Sequence, residues 1–133
     1  MIFGNQPMSE FKARQLGALE LAYIGDSVFD LYVRTKYALN SQKNAGKLHA
    51  MSIKLVNARS QAAFARRWME QFTAAEKEVF MRGRNAKSQT VPKNMSVADY
   101  KYATAMEAVI GYLYLSGQSQ RISDILGTME FDL

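Results

Sequence analysis

The feature that most constrains the fold of this chain is a carboxylate, Asp26, in the middle of a long apolar segment. Read as a helix, the segment from Leu16 to Leu39 is apolar on nearly every side, which is typical of a helix inside a protein. At about 100° per residue, Asp26, Asp30 and Arg34 fall in one narrow polar stripe of that helix. An unpaired charge removed from water costs several kcal/mol, so Asp26 needs a partner.

Length and composition limit the size and the class of protein to which that helix can belong. With 133 residues, 48% of them hydrophobic, we expect a single domain over residues 1–133, with residues 1–10 as an irregular lead-in. The absence of Cys excludes a disulfide scaffold and a thiolate zinc site. No apolar stretch reaches about 18 residues and no signal peptide is recognisable, so we expect a cytoplasmic protein with no membrane association.

The remaining patterns predict an all-α chain. No segment alternates with period two, whereas Thr73 with Glu76 and Ser96 with Asp99 have the spacing of helix N-terminal caps. Asn57 is a candidate break within a second helical region. The expected segments after the first helix are a region from Ala45 to Gln71, a helix from Ala74 towards Arg82, a loop from Gly83 to Asn94, a helix to about Ser116, and a last helix from Ser119 to about Glu130.

A second apolar helix repeats the anomaly of the first. From Ala103 to Leu115 its only carboxylate is Glu107, and small residues flank that position one turn away, as Gly25 does beside Asp26. Small residues let two helix backbones approach closely, so the two acids are candidates to face each other. The structural alternative pairs Asp26 with Arg34 or a backbone N–H, and Glu107 with a basic side chain or a Tyr hydroxyl; spacing alone leaves both open.

Two facing carboxylates would need a cation between them. In a site of low dielectric both cannot stay ionised cheaply. Oxygen ligands without Cys or a His cluster favour Mg²⁺, with Mn²⁺ as a possible substitute. Such an ion lowers the pKa of a bound water and neutralises phosphate oxygens, which suits hydrolysis of a phosphodiester. The excess of 17 Lys and Arg over 12 Asp and Glu, a formal charge of +5, favours a polyanionic partner.

Two motifs resemble those of the ribonuclease III family. The segment from Tyr23 to Phe29, Tyr-Ile-Gly-Asp-Ser-Val-Phe, is similar to the Leu-Gly-Asp-Ser-Val signature of its catalytic domain. The segment from Ala105 to Gly111, Ala-Met-Glu-Ala-Val-Ile-Gly, is similar to its second acidic motif, Glu-Ala-Leu-Ile-Gly. No room remains for a double-stranded RNA-binding domain, and a basic loop precedes the acidic helix, as in the Mini-III ribonucleases. The resemblance covers about Leu16 to Leu126.

This resemblance implies a fold and an activity. The implied fold is the helical bundle of the ribonuclease III endonuclease domain, assembled as a homodimer. The implied activity is Mg²⁺-dependent hydrolysis of double-stranded RNA, leaving 5′-phosphate ends, with precursor large-subunit (23S) ribosomal RNA as the substrate. The matching positions assign Asp26 and Glu107 as catalytic residues and metal ligands.

The chain also departs from the pattern of the larger enzymes. Where these have a Glu four residues before the Asp, this chain has Ala22, and where they have an Asp three residues before the Glu, it has Thr104. Asp30 and Thr104 are candidates to support the site from behind the metal ligands. The missing carboxylates keep an alternative open, a non-catalytic duplex-RNA-binding or ribosome-assembly module on the same fold; a helical scaffold whose acids only form ion pairs is a further one.

The basic segment before the acidic helix is the candidate RNA-binding surface. Arg and Lys suit phosphates, and Asn or Ser suit the 2′-hydroxyls of a shallow minor groove. The other interpretation is a solvated loop. The residues expected to contact RNA are Arg82, Arg84, Asn85, Lys87, Ser88 and Lys93.

Overall fold

The chain forms seven α-helices in the residues that the structure, a computed structural model, describes, which are 3–87 and 91–131. No strand occurs in those ranges, as the sequence predicts. The helices are α1 (Glu10–Gln15), α2 (Ala18–Asn40), α3 (Ala45–Val56), α4 (Ala58–Trp68), α5 (Ala74–Asn85), α6 (Val97–Leu115) and α7 (Ser119–Leu126), with a 3-10 turn (Met69–Gln71) after α4.

Helix α6 is the centre of the bundle. Every residue from Ala103 to Leu113 except Glu107 is buried, and α6 packs against α1, α2, α4, α5 and α7. A helix buried on all sides is what its continuous apolar composition predicts. The one acid of this stretch is therefore held by the rest of the fold.

Polar side chains cap the helices where the sequence indicates. Thr73 Oγ1 accepts from Glu76 N at 3.2 Å while Thr73 N donates to Glu76 Oε1 at 2.9 Å, a complete capping box. Ser96 Oγ accepts from Asp99 N at 3.3 Å. Asn57 separates α3 from α4 and caps α4 through Ser60 N at 2.9 Å, which confirms the predicted break.

Four features differ from expectation, and the first three are helix boundaries. Helix α1 begins at the end of the segment expected to be irregular, because Ser9 caps it through Lys12 N. Helix α5 continues to Asn85, one turn beyond the expected Arg82, so the loop starts later. Helix α7 ends at Leu126, because Gly127 caps it a turn before Glu130.

The fourth difference concerns the surface of α2. The prediction that this helix is buried nearly all round is wrong, because Leu19 is 43%, Tyr23 78% and Leu31 54% exposed. Its buried side is formed by Leu21, Ala22, Gly25, Phe29, Val33 and Tyr37. Helix α2 thus places one apolar face in the core and leaves a second apolar face open. Within the described residues, no helix is both long and apolar enough to cross a membrane.

Candidate active site

The candidate site lies where α2 crosses α6 with the two backbones in direct contact. A Cβ atom added to Gly25 would lie 2.6 Å from the carbonyl carbon of Glu107, and one added to Gly111 would lie 2.8 Å from the carbonyl carbon of Leu21. Real Cβ atoms do not approach other atoms this closely, so only glycine fits at both positions. The small residues therefore permit the close crossing that the sequence predicts.

The crossing brings Asp26 and Glu107 into side-chain contact. Burial, and after it the hydrogen bond and the negative charge of Asp26, raise the pKa of the Glu107 carboxyl to about 9, while the hydrogen bond with Gln61 acts in the opposite direction. At neutral pH the Glu107 carboxyl is therefore protonated and shares a hydrogen bond with Asp26. The sequence-based expectation that the two acids face each other agrees with this geometry; their catalytic role stays a prediction.

Within the described part of the chain, neither acid has a basic side chain as its partner, which was one form of the structural alternative. Arg34 is bound instead to Asp30, with its Nε 3.0 and 2.9 Å from the two carboxylate oxygens. Among the described residues, no Lys or Arg forms an ion pair with Asp26 or Glu107. The pair is accordingly left with negative charge that no protein cation neutralises.

One polar side chain from a third helix completes the surroundings of Glu107. Gln61 of α4 is 2% exposed, and its amide makes a hydrogen bond with the Glu107 carboxyl. Its Nε2 also donates to the carbonyl oxygen of Val56 at 3.1 Å, whereas its Oε1 is buried without a hydrogen-bond partner in the described structure. The sequence analysis missed Gln61, although it stands three residues before Phe64 and seven before Trp68, on the buried face of α4.

The predicted supporting residues lie near the site but are engaged elsewhere. Asp30 binds Arg34, and Thr104, which is buried, donates its hydroxyl to the carbonyl oxygen of Tyr100 at 2.9 Å. Within residues 3–87 and 91–131, no group of three or more Asp, Glu, His or Cys side chains is placed to hold a metal ion. The local donor set is thus two carboxylates with an amide beside them.

The predicted RNA-binding residues occupy two kinds of environment. Arg82 lies on α5, half-buried, and donates to the carbonyl oxygens of Leu16 at 3.0 Å and Arg14 at 2.7 Å. Its Nε is 2.8 Å from a carboxylate oxygen of Glu78. Arg82 is therefore already engaged in holding α5 to the end of α1. Any RNA contact would require it to leave these partners.

The other cations of this group are more available. Arg84 and Asn85 end α5 and hydrogen-bond each other at 3.4 Å, so they belong to a helix end and not to the loop that the sequence suggested. Lys87 and Lys93 are exposed. Ser88 lies outside the described residues. RNA binding by these residues stays a prediction.

Both the sequence and the fold of this chain are similar to those of known proteins. The sequence model of the Ribonuclease III domain matches residues 19–118. Proteins named Mini-ribonuclease 3 are similar to this chain: that of Staphylococcus aureus is 48% identical over 84% of this chain and 84% of its own length, and that of a Thermoanaerobacter species is 43% identical over 84% and 78%. A crystal structure of a Fusobacterium nucleatum protein matches with a TM-score of 0.78 and 32% identity, covering 86% of this chain and 92% of that one.

Proposed function

This chain belongs to the ribonuclease III family of double-stranded RNA endonucleases, among the Mini-ribonuclease 3 proteins, and from that premise we propose that Asp26 and Glu107 are its catalytic acids. The observation that carries the proposal is the contact between two carboxyl groups that form no ion pair with any Lys or Arg of the described residues. A buried acid that serves only stability is normally paired with a base. The Asp26–Glu107 pair instead has the composition of a cation site.

Enzymes of this family generally depend on a divalent metal ion, and the residues present fit one. We propose that the ion is Mg²⁺ and that Mn²⁺ can substitute for it. Carboxylate and amide oxygens suit a hard cation, and Mg²⁺ commonly binds through one or two carboxylates while keeping several waters. A bound ion of this kind supplies a water of lowered pKa and neutralises charge on the phosphate oxygens. Asp26 and Glu107 would hold it, with Glu107 giving up its proton.

The fold holds these two side chains in a fixed relation. Asp26 is exposed on α2 and Glu107 emerges from the buried surface of α6, so the pair lies where solvent and a large substrate can reach it. Because the backbones touch at Gly25 and Gly111, the main-chain positions that carry the two acids cannot move apart without separating the helices. Such preorganisation lowers the cost of assembling the reacting groups on the scissile phosphate.

The proposed substrate is precursor large-subunit (23S) ribosomal RNA in duplex form. The support is the resemblance to Mini-III ribonucleases and the net charge of +5. Arg84, Lys87 and Lys93 are the cations we assign to phosphate binding, because two of them are exposed and none carries the backbone contacts that hold Arg82. Asn85 and Ser88 are further proposed contacts, because they belong to the same stretch of sequence before the acidic helix.

The open apolar face of α2 supports a homodimer. Leu19 and Tyr23 lie one turn apart on the same side of the helix as Asp26, and both are exposed. Exposed apolar side chains grouped on one helix face are typical of an interface between subunits. Light scattering after size exclusion should give twice the mass of the chain, and a monomer at micromolar concentration would contradict the assembly.

Asp26→Asn tests the acid pair directly. The variant removes one negative charge without changing the size of the side chain, and we expect cleavage of duplex RNA in Mg²⁺ to fall to background. Binding of the duplex in Ca²⁺, followed by fluorescence anisotropy, should be retained. Asp124→Asn, at an exposed position on α7, is the matched control. Full cleavage by Asp26→Asn would refute the proposed site.

Substituting Arg84, Lys87 and Lys93 together by Ala tests the RNA-binding surface. Affinity for a duplex should fall, and the slope of its dependence on salt should become shallower by about one for each cation that contacts a phosphate. A triple variant with the same change in net charge controls for general electrostatics. Its substitutions are at three exposed lysines elsewhere: Lys12, Lys47 and Lys77. Equal effects in the two triple variants would argue against a localised surface.

A further inference from the structure

Among the residues that the structure describes, Gln61 is the buried polar side chain beside the acid pair whose hydrogen bonds are incomplete. It comes from α4, a different helix from either acid, and only 2% of its surface is exposed. Its Oε1 has no partner in the described structure, and a buried acceptor left unpaired destabilises a folded protein. Most buried polar atoms avoid that penalty, which marks this one as a candidate for a functional role.

The Gln61 amide is anchored on one side and faces the site on the other. Its Nε2 donates to the carbonyl oxygen of Val56, at the end of α3, and the amide also makes a hydrogen bond with the Glu107 carboxyl. Because one N–H of this amide is held by Val56, the second N–H is the group that can donate to the Glu107 carboxyl. Gln61 is therefore placed to hold the ionised form of Glu107, which is the form that binds a cation.

We infer that Gln61 is a positioning residue, which fixes the Glu107 carboxyl in the orientation that binds the metal ion. This inference rests on the proposed function of the acid pair and extends it to α4. It explains why a polar side chain stands among the apolar residues Ala62, Phe64 and Ala65, which pack α4 onto α6. The groups that orient metal ligands have a measurable effect, because their loss commonly weakens metal binding or activity by about 10- to 100-fold.

Gln61→Met is the first test, since methionine has a similar length and no strong donor or acceptor. We expect the affinity for Mn²⁺, measured without RNA by the electron paramagnetic resonance of the free ion, to fall by about tenfold or more. The Mg²⁺ concentration for half-maximal cleavage should rise by a similar factor, while duplex binding in Ca²⁺ is unchanged. Gln71→Met is the matched control, because Gln71 is exposed and its side chain donates to the carbonyl oxygen of Arg67.

Folding is checked on the same samples by circular dichroism. Gln61→Asn provides a second variant, since it keeps the amide but is one methylene too short to bond Val56 and Glu107 together, and we expect a smaller loss of Mn²⁺ affinity. The wild-type protein gives a test that needs no substitution: in ¹⁵N spectra, Mg²⁺ should shift the side-chain amide signals of Gln61 and leave those of Gln71 in place.

The outcomes separate this inference from the proposal beneath it. Wild-type Mn²⁺ affinity in the folded Gln61 variants, or unmoved Gln61 amide signals in the wild-type protein, would overturn the role of Gln61. If Asp26→Asn loses Mn²⁺ binding while Gln61→Met retains it, the acid pair stands and only the positioning role falls. If Asp26→Asn binds Mn²⁺ as the wild type does, the proposed metal site itself is wrong.

Discussion

Two carboxyl groups of this protein, Glu76 and Glu107, are both shielded from water, but one lies beside a cation and the other beside a second acid. The Glu76 side chain is 3% exposed, and Arg121 binds it through two nitrogens at 2.8 Å. Burial alone would raise the pKa of Glu76, but the bonds from Arg121 and the backbone of Thr73 hold it below its usual value. Glu107 faces another acid, and its pKa rises to about 9. The fold thus neutralises Glu76 with an arginine, whereas the partly buried Glu107 has no Lys or Arg bound to it among the described residues.

The contrast separates a structural acid from a functional one. Arg121 also donates to the carbonyl oxygen of Gln71 at 3.2 Å and lies 5.4 Å from the ring of Trp68, so Glu76 joins α5, α7 and the end of α4. Among the described residues Glu107 has no such cation, and its partners are Asp26 of α2 and the Gln61 amide of α4. Its burial is a cost to the folded protein that binding of a cation can offset.

The largest expected effect is on cleavage. Glu107→Gln should reduce the rate of duplex cleavage by about 10³-fold, because it removes a carboxylate that acts on the developing charge of the reaction. Glu76→Gln should leave the rate per folded molecule unchanged, measured at a temperature at which the variant is fully folded. Comparable losses of rate in the two variants would mean that the distinction between the two acids is wrong.

The next effect is on stability, and here the larger loss is expected for the Glu76 variant. Glu76→Gln should lower the free energy of unfolding by about 2–3 kcal/mol, less than the ~3–5 of a fully buried pair because Arg121 is partly exposed. Gln can still accept from the Thr73 backbone, so the cap is retained and the ion pair is what is lost. Urea unfolding measures the change, and Glu70→Gln, at an exposed position in the 3-10 turn, is the control.

The smallest effect is a pH dependence of the metal-free protein. The folded-state pKa of Glu107 is raised above its ordinary 4.5, so between about pH 4.5 and 9 the folded state binds more protons than the unfolded state. The contribution of Glu107 to stability is therefore fully present below pH 4.5 and is lost as the pH rises towards 9.

Glu107→Gln removes that titration. In EDTA, the melting temperature of this variant should rise relative to that of the wild type between pH 5 and pH 8. Differential scanning calorimetry at the two pH values measures the difference. A gap that is the same at both pH values would contradict the raised pKa.

Much of the fold could be predicted because its signals are local. The Thr73 capping box, the Asn57 break and the Ser96 cap act within a few residues, and each is observed at the expected position. The prediction failed where tertiary contacts decide. Composition alone cannot tell a helix buried all round from one with a second apolar face, and Tyr23 is exposed although its neighbours suggest a core position.

Some features of the candidate site could likewise be predicted from the sequence, and others could not. The small residues beside Asp26 and Glu107 indicate that the two helices can approach, so their contact could be expected from sequence. The pairing of Arg34 with Asp30 could also have been chosen over a pairing with Asp26, because residues four apart on a helix are neighbours whereas residues eight apart lie two turns away. Gln61 was missed because α4 comes from a separate part of the chain, and only the packed structure shows what its buried face meets.

The contact of Gly25 and Gly111 has a consequence for how this protein can change over evolution. Because main-chain atoms set the separation of α2 and α6 at this point, it does not depend on the volumes of nearby side chains. Substitutions among the apolar core residues can alter stability while the spacing of the two acids is preserved. Relatives with quite different cores can therefore keep the same spacing, provided that both glycines remain. The same property makes this helix pair a good starting point for moving a two-carboxylate site into a designed bundle.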